Sequence, residues 1–170
     1  YYNRGIIYYQ LGQRKAALAD YNQVVLLNPT EADVYNNRGV LWKDLGDKEA
    51  AIADYSKAIE LNPFNATSYY NRGIILKELG KKRSAIKDYT KAIDLRPNYA
   101  LAYNNRGIAF RDCGQKKSAL RDFEQSITYD PYYAPAYYNR GMIYSHYGEK
   151  KKALADLTRA SNLNPNHSTA

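Results

Sequence analysis

Apolar and aromatic residues fall three and four positions apart along this chain, in pairs of short stretches that recur to its end. Between Ala66 and Tyr99 the first stretch, residues 66–79, carries Tyr69, Tyr70, Gly73, Ile74, Ile75, Leu76 and Leu79. The second, residues 82–95, carries Ala85, Ile86, Tyr89, Ala92, Ile93 and Leu95. That spacing is the period of an amphipathic α-helix and predicts two of them. Gly80 lies between, where a left-handed residue can close a helix. Pro97 follows the second stretch; it biases Arg96 toward extended backbone and ends the helix. The unit is helix, short turn, helix, proline-containing turn.

The unit repeats with a fixed period. Asn-Arg-Gly occurs five times, with glycines at 5, 39, 73, 107 and 141, each 34 residues after the last. Such a period marks stacked repeats that bury a continuous core between neighbours. The predicted fold is all-α, a solenoid of five antiparallel helix-turn-helix repeats at 1–31, 32–65, 66–99, 100–133 and 134–167, in a single array over residues 1–170. Tyr1 already stands at the fourth position of its repeat, and five residues follow Pro165. The first repeat reads as truncated and the last as lacking a capping helix, the ends of a piece of a longer protein. Bare ends leave two expectations open: flanking repeats, or chains that stack end to end.

Within a repeat numbered 1 to 34, Gly stands at position 8 and Ala at position 20 (Ala17, Ala51, Ala85, Ala119, Ala153). Position 24 is Tyr21, Tyr55, Tyr89, Phe123 and Leu157. Position 27 is Val24, Ala58, Ala92, Ser126 and Ala160. Position 32 is Pro29, Pro63, Pro97, Pro131 and Pro165. Over the whole chain this pattern resembles the tetratricopeptide repeat. The resemblance implies a right-handed superhelix of antiparallel helix pairs whose first helices line a concave groove. It also implies a non-catalytic scaffold that holds a protein or peptide segment in that groove. Two other roles stay open: a structural or self-assembling array, and an accessory domain of a larger enzyme.

Position 7 is always arginine: Arg4, Arg38, Arg72, Arg106 and Arg140. It falls inside the stripe formed by positions 4, 8 and 11, where the family usually has an apolar residue. Position 23 is always aspartate: Asp20, Asp54, Asp88, Asp122 and Asp156. The two positions are equally far from the turn glycine at position 15, so an antiparallel hairpin sets them at one height. A salt bridge is expected, within a repeat or to its neighbour, because the planar guanidinium can meet a carboxylate with two hydrogen bonds. Arg38 with Asp54, Arg72 with Asp88, and Arg106 with Asp122 are the central candidates.

Position 6 is Asn3, Asn37, Asn71, Asn105 and Asn139, on a different helical face from the arginines. A primary amide offers two donors and two acceptor sites, enough to engage the backbone of an extended peptide. Such a column resembles the asparagine ladder in the repeat superhelix of the O-linked N-acetylglucosamine transferase. The same amides could instead bond repeat to repeat, and both readings stand. Around the column lie Tyr70 and Tyr138 at position 5 and Lys43, Lys77 and Arg111 at position 12, next to acidic residues at position 13. Members of the family that clamp chaperone carboxylates carry an additional Asn at position 9. Here that position is Ile6, Val40, Ile74, Ile108 and Met142, which argues against that ligand.

The charge balance, 25 basic against 17 acidic residues and net +8, changes this picture little. Lys81, Lys82 and Arg83, Lys116 and Lys117, and Lys150 to Lys152 fall at the turns, where a solvated basic edge is expected. Nucleic acid is not an expected partner, because RNA-reading helical repeats use another period and side-chain code. No apolar run is long enough for a membrane span. Cys113, the single cysteine, forms no internal disulfide and is expected to pack at position 14. His146 and His167 lack metal-ligand spacing, and no phosphate loop or nucleophile motif occurs. No cofactor, metal or catalytic residue is therefore expected.

Overall fold

The computed structural model of the chain describes residues 1–164; Pro165 and His167 lie outside the described residues. Among the described residues there are ten α-helices and no strand. They are α1 (Tyr2–Gln10), α2 (Arg14–Leu27), α3 (Ala32–Leu45), α4 (Lys48–Leu61) and α5 (Ala66–Glu78). After these come α6 (Lys82–Leu95), α7 (Ala100–Asp112), α8 (Lys116–Tyr129), α9 (Ala134–His146) and α10 (Lys150–Leu163). The odd-numbered helices are the first helices of the repeats.

Local chemistry sets the boundaries. The α3 helix closes at Gly46, whose φ of 87° suits a residue without a Cβ. The Asp47 carboxylate then accepts from the Ala50 N–H at 2.9 Å and caps α4. Asn65 caps α5 by accepting from the Thr67 and Ser68 N–H groups at 3.0 and 3.2 Å. The second helices end just ahead of the proline, as α4 does at Leu61 before Pro63.

The helices form two compact units, Tyr1–Lys81 and Lys82–Ala170. In the first, α1 pairs with α2, α3 pairs with α4, and α5 packs on α4. In the second, α7 pairs with α8, α9 pairs with α10, and α6 and α8 pack on the first helix of the following repeat. One packing rule serves both units. The residue at position 10 of a first helix enters the core between positions 20, 21 and 24 of the preceding second helix. Leu41 does so against Ala17, Leu18 and Tyr21. Ile75 does so against Ala51, Ile52 and Tyr55, and Ile143 against Ala119, Leu120 and Phe123.

The ring at position 24 also explains the glycine at position 8. A Cβ at Gly39 would lie 2.7 Å from Cε1 of Tyr55, and one at Gly107 would lie 2.6 Å from Cε1 of Phe123. At Gly5 the nearest atom is Cε1 of Tyr21 at 2.8 Å. The second helix therefore presses an aromatic ring onto the backbone of the first. The ring matters more than its hydroxyl. The Tyr55 hydroxyl is buried without a hydrogen-bond partner, and Phe123 fills the same place with no hydroxyl. The fifth repeat is looser: a Cβ at Gly141 would meet Leu157 Cγ and Asp156 Cβ, both at 3.1 Å.

Cys113 departs from expectation and is exposed. Position 14 abuts the turn glycine at the end of the first helix, and Leu11, Leu45 and Tyr147 are likewise exposed there.

Replacing Gly39 by Ala sets two terms against each other. Alanine gains about 1 kcal/mol of helix propensity. Forcing a methyl against a buried ring costs about 1–3 kcal/mol. Gly39→Ala is expected to lose stability, read as a lower urea midpoint, and Gly141→Ala to lose less, since its nearest neighbours stand at 3.1 Å rather than 2.7 Å. Equal stability for Gly39→Ala and the parent chain would contradict the close-approach account.

Candidate functional site

Four of the arginines meet the aspartate of their own repeat. Arg38 donates Nε and Nη2 to the two carboxylate oxygens of Asp54, both at 2.7 Å. Arg106 grips Asp122 in the same way at 2.8 and 2.8 Å. Arg4 with Asp20 and Arg140 with Asp156 repeat the geometry at 2.7 to 2.8 Å. All four aspartates are buried. Aromatic rings flank the guanidinium: Arg38 lies 5.5 Å from the Tyr35 centroid, and Arg106 lies 5.5 and 5.8 Å from Tyr103 and Phe110. These are cation–π distances. Arg72 lies 5.9 Å from the Tyr69 centroid in the first unit, and Asp88 is buried in the second.

The same arginines reach the preceding repeat. Nη1 of Arg38 donates to Asn22 Oδ1 at 2.8 Å, Arg72 donates to Ser56 Oγ at 3.1 Å, and Arg106 donates to Thr90 Oγ1 at 3.1 Å. The acceptors all stand at position 25, which the sequence reading passed over. Its signal was available: Asn22, Ser56, Thr90, Glu124 and Thr158 can all accept a hydrogen bond.

The asparagine column is also tied from repeat to repeat. Asn37 donates to the Tyr2 hydroxyl at 2.9 Å, Asn71 to Asn36 Oδ1 at 3.3 Å, and Asn139 to Asn104 Oδ1 at 3.1 Å. Each bond runs from position 6 to position 5 of the preceding repeat. Position 5 alternates between Tyr and Asn because either supplies the acceptor. Asn36 Oδ1 takes a second bond from Ser68 at 3.2 Å. Asn139 is buried, and its carbonyl accepts from Arg111 at 3.0 Å. Asn3 is exposed, and Asn37, Asn71 and Asn105 are half-buried.

The remaining candidates spread along the first-helix faces. Lys43 and Lys77 are half-buried, as is Tyr70, whereas Tyr138 is exposed. Lys43 approaches Asp44 at 3.7 Å, and Arg111 bonds its neighbour Asp112 at 3.1 Å. Position 13 also meets the preceding repeat. The Tyr9 hydroxyl donates to Asp44 at 2.5 Å, and Lys48 pairs with Glu78 at 2.9 Å. Lys82 donates to the Asp112 carbonyl at 3.1 Å, and Lys116 touches His146. Burial and the Asp44 carboxylate push Tyr9 up to about 12.

The paired aspartates differ in their electrostatics. The hydrogen bond from Arg4 holds Asp20 below the usual carboxylate range. Burial raises Asp122 against the pull of Arg106. Among the described residues no group of three His, Cys, Asp or Glu could hold a metal ion. Among them, too, no helix is long and apolar enough to cross a membrane. Within each unit the first helices carry amides, tyrosines and side chains of both charges.

The sequence model of the tetratricopeptide repeat matches residues 32–65, 66–99 and 134–167. Further models of this repeat match residues 5–46 and 88–121. The crystal structure of MamA superposes with a TM-score of 0.87 at 25% identity, covering 95% of this chain and 94% of that one. YrrB, described as a TPR protein with an unusual peptide-binding site, gives 0.81 at 25% identity over 98% of this chain and 86% of its own. The pilF protein of Pseudomonas aeruginosa shares the fold, at 0.88 and 19% identity over 96% of this chain and 74% of that one. No curated protein gives a significant sequence match.

The two aspartates are expected to titrate on opposite sides of the ordinary value of about 4. Asp20, with its lowered value, adds stability that is full above that pH and is lost as pH falls through its folded value. Asp122, with its raised value, has the opposite sign: its ionisation opposes folding as pH rises through its folded value. Carboxyl carbon shifts followed by NMR across the acid range check this. Two coincident titrations would contradict it.

Proposed function

The chain belongs to the tetratricopeptide-repeat family, and from that premise we propose a non-catalytic scaffold that holds an extended segment of a partner protein on its first-helix face. The observation that carries this reading is the state of the Asn71 amide. One N–H is committed to Asn36, which fixes the amide's orientation. Its carbonyl and second N–H remain for a ligand. A fixed amide with one donor and one acceptor left matches the alternating C=O and N–H of an extended backbone. Binding of this type reads the peptide's path more than its side chains.

Asn37 stands beside Asn36 on α3, and Lys43 and Lys77 follow on α3 and α5, where they would take acidic or polar side chains of the segment. The second unit carries candidates of its own: Asn105 and the exposed Tyr138, with Asn139 and Arg111 bonded to each other. Tyrosine suits such a surface because its ring contributes contact area and its hydroxyl stays hydrogen-bonded to water or ligand. The peptide-binding site described for YrrB supports a peptide as the ligand class.

A random-peptide phage library panned on the chain supplies the probe. Enriched peptides are expected to bind the Asn37→Ala/Asn71→Ala variant about tenfold or more weakly, since each hydrogen bond contributes about 0.5–1.5 kcal/mol. Circular dichroism should show the variant still helical at the assay temperature. Failure to enrich any peptide, or equal binding by a folded variant, would overturn the reading.

A further inference from the structure

Charge is divided unevenly along the chain. Residues 1–81 carry 10 basic and 9 acidic side chains, whereas residues 82–170 carry 15 and 8. In the second unit, contacts already described absorb part of the surplus. Arg106 and Arg140 grip buried aspartates, Arg111 bonds Asn139, and Lys82 reaches the Asp112 carbonyl. Much of the remainder gathers on one side of the second helices. Arg83, Lys87 and Lys91 stand at positions 18, 22 and 26 of α6, and Lys117 and Arg121 at positions 18 and 22 of α8. All five are exposed, and among the described residues none of them makes a hydrogen bond or ion pair. Both α6 and α8 are followed by a further repeat, so this exposure belongs to the interior of the array.

The arrangement costs the helices something. Like charges four residues apart on a helix repel, and Arg83 with Lys87, Lys87 with Lys91, and Lys117 with Arg121 are such pairs. The repeat itself does not require them. Position 22 is Ala19 on α2 and Ala53 on α4, the residue best suited to an exposed helix site. A local cost with no return in packing marks a surface kept for contact with something else.

The shape of the unit and the residue types narrow the partner. The first helices α7 and α9 approach each other, whereas α8 touches neither α6 nor α10. The second helices therefore form the outer curve, where the cations diverge and cannot close around a small anion. No aromatic residue stands at positions 18, 22 or 26 of α6 or α8, so a nucleic-acid base has nothing to stack on. No apolar residue stands there to enter a bilayer, and a flat membrane meets a curved row poorly. A flexible acidic polypeptide follows the curve, and its spacing fits. Residues four apart on α6 rise about 6 Å along the helix axis. Alternate residues of an extended chain are about 6.6 Å apart.

We propose that the outer face of α6 and α8 binds an acidic, extended segment of a partner protein, on a surface separate from the first-helix face. Alternate carboxylates of the segment pair with Arg83, Lys87 and Lys91 along α6. Lys117 and Arg121 hold the segment where it crosses to α8. Single exposed ion pairs are weak, so the attraction is collective and is screened by salt.

Fluorescence anisotropy with a labelled peptide of alternating glutamate and serine tests this. The parent chain is expected to bind saturably at low salt and more weakly as salt rises. Lys87→Glu/Arg121→Glu should weaken binding about tenfold or more, since several pairs are lost together. The same variant should melt no lower than the parent, because it relieves repulsion within both helices. Arg14→Glu/Lys15→Glu on α2 changes the net charge equally and should bind like the parent. Equal weakening by the two variants would reduce the effect to net charge and overturn the proposal. So would a parent chain without saturable binding, or a Lys87→Glu/Arg121→Glu variant that binds unchanged. Tighter binding of polyuridylate or of phosphatidylserine vesicles, lost in that variant, would give the face to another class of partner and also overturn it.

Discussion

A second helix that presses an aromatic ring onto a first-helix backbone sets the geometry of every repeat in which it is seen. With glycine at position 8 the helices of a hairpin approach until Tyr21, Tyr55 or Phe123 touches backbone. At that separation the residues just before the glycine and the ring, arginine and aspartate, come within hydrogen-bond distance. The ion pair is thus a consequence of close packing and then a constraint on it. Two parallel N–H to oxygen bonds fix the height and rotation of one helix against the other. Net stabilisation from such a pair can be small, because desolvation offsets much of the attraction. Loss of one partner is another matter, since it strands a buried charge.

From this hairpin the array follows by reuse. The arginine has a further N–H, which reaches position 25 of the preceding repeat, so one side chain joins two helices of its own repeat and one of its neighbour. The asparagine beside it bonds position 5, and position 10 fills the core. Stability in such arrays accumulates through neighbour interfaces rather than one central core. The same repetition orients the amides: Asn37, Asn71 and Asn139 are each fixed by a bond to the preceding repeat.

Much of this was legible in the sequence. The period, the helices, the turn glycines and the shared height of arginine and aspartate all rest on local spacing, which one hairpin translates directly into contacts. The partners of the asparagines were not legible. Asn37 bonds Tyr2 and Asn139 bonds Asn104, across repeats, and those contacts depend on the shift and rotation between successive hairpins. Sequence period states that repeats are alike but not how far one slides past the next. The same gap hid the bond from Arg111 to Asn139. Cys113 was misjudged for a local reason: position 14 has an apolar residue in most repeats, yet it lies where the helix runs out into the turn.

The central claim is that Arg38 and Asp54 act as one buried unit closing the hairpin. A double-mutant cycle with Arg38→Met and Asp54→Leu, read by equilibrium unfolding, tests it most directly. Each single change should cost about 3–5 kcal/mol by leaving a buried charge alone, and the double change should cost far less than their sum. Additive losses, or single changes that cost almost nothing, would contradict the account.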